Sequence, residues 1–366
     1  MTITMRCDKR SPIQELEEYK PGKLIKGAIK LSSNENPLGP SPEVVKAIAN
    51  SLENEDLKLS VYPWEGNEDE LRAEIARYVG FGVKTIVIGA GIDGVLDTLV
   101  KIFLGNGNEA IIPVPTFSLY ESLVIIAGGT PRYIPRRRNE HFEISVAELL
   151  AACNDRTRMI FLSSPNNPTG NCIAEKEVRE IAEAMPEAMV AIDEAYVEFA
   201  DSSLVNLVRE YENVVVLRTF SKAFGLAGLR VGYAIIPEWL AGMYKKVAIP
   251  FSVNSVAIQA AIAALKDKKH LRRSIKLVKS GRTFLEENLQ KICKVYPSEA
   301  NFVLADLSPR KSSTVCDALE KKGITVRDCA SFRGAGDSFI RISVGTQEEN
   351  EKLLEALKHV LSAKRF

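Results

Sequence analysis

Between about residue 41 and residue 250, short runs of consecutive apolar residues alternate with longer stretches whose apolar positions recur every three or four residues. The runs Thr85–Ile88, Ala110–Pro113, Met159–Ser163, Met189–Asp193, Val214–Leu217 and Gly232–Ile236 predict buried strands, since a strand covered on both faces has no polar side to present. Ser41-Pro42-Glu43 offers an N-cap, a proline at the first helical position and an acid in the first turn, which predicts a helix to about Leu52. Leu71, Ile75 and Tyr78 share one face of a helix over Glu68–Val79. Strands alternating with helices predict an α/β unit with a mostly parallel sheet flanked by helices, a layout that gathers function at the carboxyl ends of its strands.

The last third changes pattern. A charged amphipathic helix is expected over about 268–292, followed by a strand near Phe302–Ala305, a helix near Ser312–Lys321, strands near Thr325–Arg327 and Phe339–Ser343, and a helix from Gln347 to Leu361. That order predicts a smaller α+β unit. The expected division is 41–250 for the large unit, with 1–40 and 251–366 forming the small one.

The chain has 366 residues, a length suited to two domains, and a formal net charge of +1, which carries no signature of nucleic-acid binding. Arg136-Arg137-Arg138 is the one notable basic cluster, expected in a solvated loop or at a strand end. Three histidines and six cysteines without a CxxC give little material for a metal site, so none is expected, and scattered thiols suit a reducing compartment. The N-terminus lacks the apolar core of a secretory signal. Val247–Leu265 is uncharged, but Pro250, Ser252, Asn254, Ser255 and Gln259 favour a turn leading into a buried helix over a membrane span. A cytoplasmic protein without membrane partners is expected.

Four segments carry candidate chemistry, each at the end of an expected strand. In RTFSKAFGLAGLRVGY, Lys222 lies among hydroxyls and small residues; a confined lysine amine can condense with an aldehyde, and Thr219, Ser221 and Arg230 could serve a phosphate. In AIDEAY, Asp193 closes an apolar strand, where an acid needs a partner such as a protonated ring nitrogen. In SSPNNPTG, Asn167 could hydrogen-bond a ring oxygen. In GAGIDG, small residues at a strand-to-helix turn let backbone amides approach an anion. Each has a plainer reading alone: an exposed lysine, a helix-capping acid, a tight turn, or a dinucleotide-type turn with Glu109 as its acid. Together, in this order, they supply a phosphate cup, a nitrogen partner, an oxygen partner and an amine, the set that pyridoxal phosphate needs.

With these segments and LSSNENPLGP, VRD and IRISVGT, the chain resembles the fold-type I pyridoxal-phosphate enzymes, and among them the histidinol-phosphate aminotransferases, over about residues 31–361. The resemblance implies a large sheet domain plus a smaller α+β domain, and pyridoxal 5'-phosphate joined to Lys222, which then also carries the proton at the substrate Cα. It implies Asp193 at the pyridinium nitrogen, Tyr196 and Asn167 at the ring hydroxyl, and Phe117 stacked on the ring. Gly91, Ile92, Asp93, Thr219, Ser221 and Arg230 would surround the phosphate, and Tyr62 would reach the phosphate of a neighbouring subunit in a homodimer with shared sites. Arg341 would clamp the carboxylate of a 2-oxo acid, Arg327 the phosphate of the amino donor, with Asn34 and Tyr120 also at the substrate. The implied reaction is amino transfer between L-histidinol phosphate and 2-oxoglutarate. Alternatives are a broad aromatic aminotransferase, a decarboxylase of a phosphorylated hydroxy amino acid, and a non-catalytic regulator on the same scaffold. Three departures from the family pattern are Ile92, Gly94 and Trp64.

Overall fold

The computed structural model describes residues 11–14, 16, 18, 22, 25–54, 57–63 and 65–362; Trp64 lies outside them. A short helix, Ser11–Gln14, precedes the first strand, β1 (Ile29–Leu31). Seven strands then build the larger sheet: β2 (Ile86–Gly89), β3 (Glu109–Val114), β4 (Thr130–Pro135), β5 (Thr157–Ser163), β6 (Met189–Asp193), β7 (Val214–Thr219) and β8 (Gly232–Ile235). Four more, β9 (Lys294–Tyr296), β10 (Phe302–Asp306), β11 (Ile324–Asp328) and β12 (Phe339–Ser343), form the smaller sheet with β1.

The larger sheet has the order β2-β8-β7-β6-β5-β3-β4, and only β8 runs against its neighbours. Its strands other than β4 are buried on both faces. Ile160, Leu162, Val190 and Ile192 join one core, while Met159, Phe161, Met189 and Ala191 join the other. The helices Gly91–Phe103, Leu119–Ala127 and Glu238–Val247 cover the second face. The helices Pro42–Glu53, Glu65–Val79, Glu175–Ala184 and Ser255–Lys266 cover the first. Each Val, Leu or Ile fully buried this way contributes about 1.5–3 kcal/mol of hydrophobic stabilisation before entropy is counted.

The smaller sheet, β1-β11-β12-β10-β9, is antiparallel except for the β1–β11 pair. The helix Lys268–Leu289 bridges the two units: Leu271 and Val278 pack in the large core, Leu285 and Leu289 in the small one.

The patterned strands and helices stand close to where the apolar runs put them. The strand β4 was not expected. Its sequence TPRYIP holds two prolines and an arginine, and it survives because it is an edge strand, paired only with β3, where missing N–H groups face away from the ladder. The uncharged stretch at 247–265 is a turn followed by the helix Ser255–Lys266, and no helix among the described residues is long and apolar enough to cross a membrane. Of the basic cluster, Arg137 pairs with Glu140 and Glu148, and Arg138 with Asp306. Arg136 departs from the solvated reading: it is 6% exposed, and burial pushes its guanidinium down to about 10.

Candidate active site

The carboxyl ends of β2, β5, β6 and β7 open onto a cleft of about 510 Å³, closed from the other side by residues of the smaller unit. Its lining includes Asn34, Ile92, Asp93, Phe117, Tyr120, Asn167, Asp193, Tyr196, Thr219, Ser221, Lys222, Arg230, Arg327 and Arg341. Residues up to 307 positions apart in sequence thus share one space. Parallel strands achieve this because every one of them ends at the same edge of the sheet.

Lys222 follows β7 and turns inward. Its Nζ donates to the carbonyl oxygen of Ser33 at 3.1 Å and lies 5.8 Å from the centre of the Tyr196 ring. Burial, helped by the positive charge of Arg341, lowers its pKa to about 8. Such an amine is far closer to a nucleophile at neutral pH than a solvated lysine.

Asp193, the last residue of β6, is 7% exposed and forms no ion pair among the described residues. Its Oδ2 accepts from the Tyr120 hydroxyl at 2.6 Å and its Oδ1 from the Ala195 N–H at 3.0 Å. Burial outweighs these bonds and raises the carboxyl to about 6. A buried acid held ready for a cation is what a pyridinium N–H requires. Tyr120 was expected at the substrate; its hydroxyl is engaged by Asp193 instead, and its ring meets Phe117 edge-on at 5.9 Å.

Two walls frame a space suited to an anion. On one, Thr219 donates to Ser221 Oγ at 3.0 Å and accepts from the Ser221 N–H at the same distance, which arranges both hydroxyls. On the other, Gly91 opens the helix Gly91–Phe103 with φ of +75°. A Cβ at Gly91 would stand 2.6 Å from Arg230 Nη2, and one at Gly232 would stand 2.5 Å from the backbone of Gly91 and Ile92. Glycine at both positions lets β8, the helix start and Arg230 converge. Asp93 was expected as a phosphate contact; it pairs with Arg230 at 2.7 Å and so aims the guanidinium. Glu109, the acid a dinucleotide turn would use, begins β3 at the opposite edge of the sheet. It is held there by Arg132 and Arg156, which depress its carboxyl to about 2 together with Asn154.

The smaller sheet contributes the arginines. Arg341 Nη2 donates to the Ser32 carbonyl at 2.7 Å, and Nη1 donates to Asn167 Oδ1. Arg327 stands directly across from Arg341 in the β11–β12 register. Its Nη2 reaches Ser331 Oγ at 3.2 Å, and its guanidinium lies 5.4 Å from the Phe332 ring centre. Two like charges facing each other across a strand pair are unfavourable without an anion between or beside them. Asn34 was assigned to the substrate, but its side chain meets Tyr196 and Ser343. Tyr62 is apart from the cleft: it is 75% exposed and stacks on Phe251 at 4.8 Å. Sequence reasoning missed Ser32 and Ser33, which act through backbone oxygens, and Ser343 and Asn301, which hold Asn34. Backbone acceptors leave no mark on residue type. Ser32 and Ser33 do lie within the LSSNENPLGP run, which could have pointed to them.

The family model "Aminotransferase class I and II" matches residues 26–357. A histidinol-phosphate aminotransferase of Methanosarcina mazei is 48% identical over 370 residues, covering 98% of each chain. One from Methanosarcina barkeri is 48% identical over 361 residues, 95% of this chain and 96% of that one. Among solved structures, the histidinol-phosphate aminotransferase from Sinorhizobium meliloti in complex with pyridoxal-5'-phosphate superposes with a TM-score of 0.86 at 27% identity, covering 98% of this chain and 99% of that one.

Proposed function

The chain belongs to the class I and II aminotransferases, and from that premise we propose that it transfers an amino group between L-histidinol phosphate and 2-oxoglutarate, giving imidazole acetol phosphate and L-glutamate, with pyridoxal 5'-phosphate on Lys222. The observation that carries this reading is that Arg327 and Arg341, facing each other in register, line the same cleft as Lys222 and Asp193. One guanidinium suits a carboxylate and the other a phosphate, so the two substrates can use one cleft in turn.

The residues fit the cofactor. The amine of Lys222 is desolvated, the acid at 193 is buried with no cation paired to it among the described residues, and the Gly91 turn, Ser221, Thr219 and Arg230 form an anion cup. Bound pyridoxal phosphate supplies an aldehyde that condenses with amines and a cationic ring that draws electrons from the adjoining carbon. Asp193 keeps the ring nitrogen protonated, and Tyr120 and the Ala195 N–H fix its carboxylate for that task. Asn167 and Tyr196 bond the ring oxygen, and Phe117 covers one ring face. Lys222 Nζ would take the proton from the donor's Cα and give it back to the carbon on the far side of the transferred nitrogen. Arg327 holds the phosphate of the donor and Arg341 the carboxylate of the acceptor. The expected kinetics are ping-pong.

Tyr62 belongs to this reading through a second copy of the chain. Leu59, Val61, Tyr62, Ile249 and Phe251 expose an apolar patch beside the cleft-bearing unit, as expected for a homodimer in which Tyr62 serves the partner's site. The unpaired cysteines among the described residues accord with the cytoplasm.

The test is a half-reaction. Histidinol phosphate, phenylalanine and phosphothreonine are each added alone to the purified yellow protein. Loss of the yellow band with histidinol phosphate alone, restored by 2-oxoglutarate, is the expected result. An equal response to phenylalanine would indicate the broad aromatic enzyme, and carbon dioxide release from phosphothreonine would indicate the decarboxylase.

A further inference from the structure

Asn34 sits at the meeting of the two units and is engaged more completely than a substrate contact would be. It is 1% exposed and holds φ at +55°, a left-handed conformation that few side chains other than Asn and Asp adopt. Its N–H donates to Ser343 Oγ at 2.8 Å, and its Oδ1 accepts from the same hydroxyl at 2.9 Å. Its carbonyl oxygen accepts from Asn301 Nδ2 at 2.9 Å. Its Nδ2 donates to the Tyr196 hydroxyl oxygen at 3.1 Å.

The polarity of these bonds follows from counting protons. A serine hydroxyl carries one proton. Ser343 Oγ accepts the Asn34 N–H and places its one proton on Asn34 Oδ1. In this arrangement the amide oxygen faces Ser343 and the amide nitrogen faces Tyr196. An amide nitrogen only donates, so the Tyr196 oxygen accepts there, and the single phenolic proton is directed away from Asn34. Tyr196 lines the cleft together with Asn167 and Lys222.

We propose that Asn34, oriented by Ser343 of the smaller sheet, is a positioning residue that fixes Tyr196 as a hydrogen-bond donor toward the cofactor's ring oxygen. The proposal rests on the reading that Tyr196 faces that oxygen. It assigns Asn34 to the orientation of the cofactor's partner instead of to the substrate. It also explains why a buried residue keeps a strained backbone: the turn at Asn34 is what presents its N–H and its side chain to one serine hydroxyl.

The test compares Asn34→Ala with Asn34→Asp, in the wild-type and the Tyr196→Phe backgrounds. Alanine removes the donor. Aspartate offers an acceptor and captures the tyrosine proton. Affinity for pyridoxal phosphate, measured by equilibrium dialysis, is expected to fall by about threefold in Asn34→Ala and about tenfold or more in Asn34→Asp. In the Tyr196→Phe background the two variants are expected to bind alike. Equal affinity of Asn34→Asp and wild type, or a difference between the variants that persists without the tyrosine hydroxyl, overturns the proposal. Should Asn34→Asp fail to fold, Ser343→Ala and Ser343→Thr make the same comparison: loss in alanine, recovery in threonine, and no effect of either in Tyr196→Phe. Loss unaffected by the Tyr196→Phe change overturns it.

A cofactor-free measurement separates this proposal from the functional reading. In the cofactor-free protein, the drops in unfolding temperature of Asn34→Ala and Tyr196→Phe are expected to be less than additive in the double variant, because both remove one bond. Additive drops overturn the Asn34–Tyr196 link. Failure of wild type to take up pyridoxal phosphate would instead sink the functional reading.

Discussion

Charge and burial at Lys222, Asp193 and the two arginines decide what the site can do. The ammonium of Lys222 is penalised by its surroundings and by Arg341, which brings its pKa to about 8 and makes the free amine accessible near neutrality. Lys222→Ala is expected to lower turnover by about 10³-fold or more, and borohydride reduction should fix the cofactor to wild type but not to the variant. At Arg327 the effect should divide by substrate. Arg327→Gln removes a charge-assisted contact worth about 1.5–3 kcal/mol, so the KM for histidinol phosphate should rise by about 10–100-fold while that for 2-oxoglutarate changes much less. Steady-state kinetics with each substrate varied would show it; equal changes for both would assign Arg327 to a structural part. Sequence showed these residues by their types at strand ends. It could not show that Tyr120 serves Asp193 or that Asp93 aims Arg230, because such pairings depend on which side chains face each other in space.

Among the elements, the junction of β8 with the helix Gly91–Phe103 is tightly constrained. The backbone of Gly91 and Ile92 approaches Gly232 so closely that a single methyl group would stand 2.5 Å from it. Gly232→Ala is expected to push the helix start off the sheet and to cost about 1–3 kcal/mol in denaturant unfolding, with weaker phosphate and cofactor binding beside it. Unchanged stability would mean that the strand and helix separate freely. The strand runs were legible because six central segments are apolar on both faces. The edge strand β4 was not: Pro131, Pro135 and the exposed Arg132 break the pattern, and only its pairing with β3 defines it. The helix Ser255–Lys266 followed from its apolar run, yet its packing against Pro42–Glu53 and Glu65–Val79, which both end far earlier in the chain, did not.

At the scale of the whole molecule, two features extend beyond the cleft. Beneath the larger sheet, Glu194 and Arg218 form a buried ion pair at 2.9 Å, with Glu198, Tyr78 and Tyr233 in the same cluster. One carboxylate oxygen of Glu198 is enclosed without a hydrogen-bond partner among the described residues, and burial raises the carboxyl pKa to about 7. The folded chain therefore binds this proton more tightly than the unfolded chain does. Stability contributed by the neutral acid is present below about pH 4.5 and is lost as pH rises toward 7, by up to roughly 3 kcal/mol. Glu198→Gln, neutral at every pH, should unfold at a higher temperature than wild type above pH 7 and at a similar one near pH 4.5. Thermal unfolding across this range checks it, and an unchanged pH profile would show the acid to be solvated. The second feature is the exposed patch around Tyr62 and Phe251. Phe251→Glu places a charge there and is expected to give a monomer by light scattering, with activity lost alongside; a stable, fully active dimer would locate the contact elsewhere.

The sequence by itself determined the alternation of elements, the parallel character of the larger sheet, the change of architecture in the last third, and the residue types gathered at the strand ends. These depend on hydrophobic periodicity and turn chemistry, which act over a few residues. Tertiary structure decided which groups meet: Arg327 opposite Arg341, Ser33 at Lys222, Asn34 between Ser343 and Tyr196, and the burial that moves Asp193 and Lys222 toward neutrality. Hydrogen-bond polarity and desolvation depend on neighbours brought from distant positions, and no local pattern along the chain encodes them.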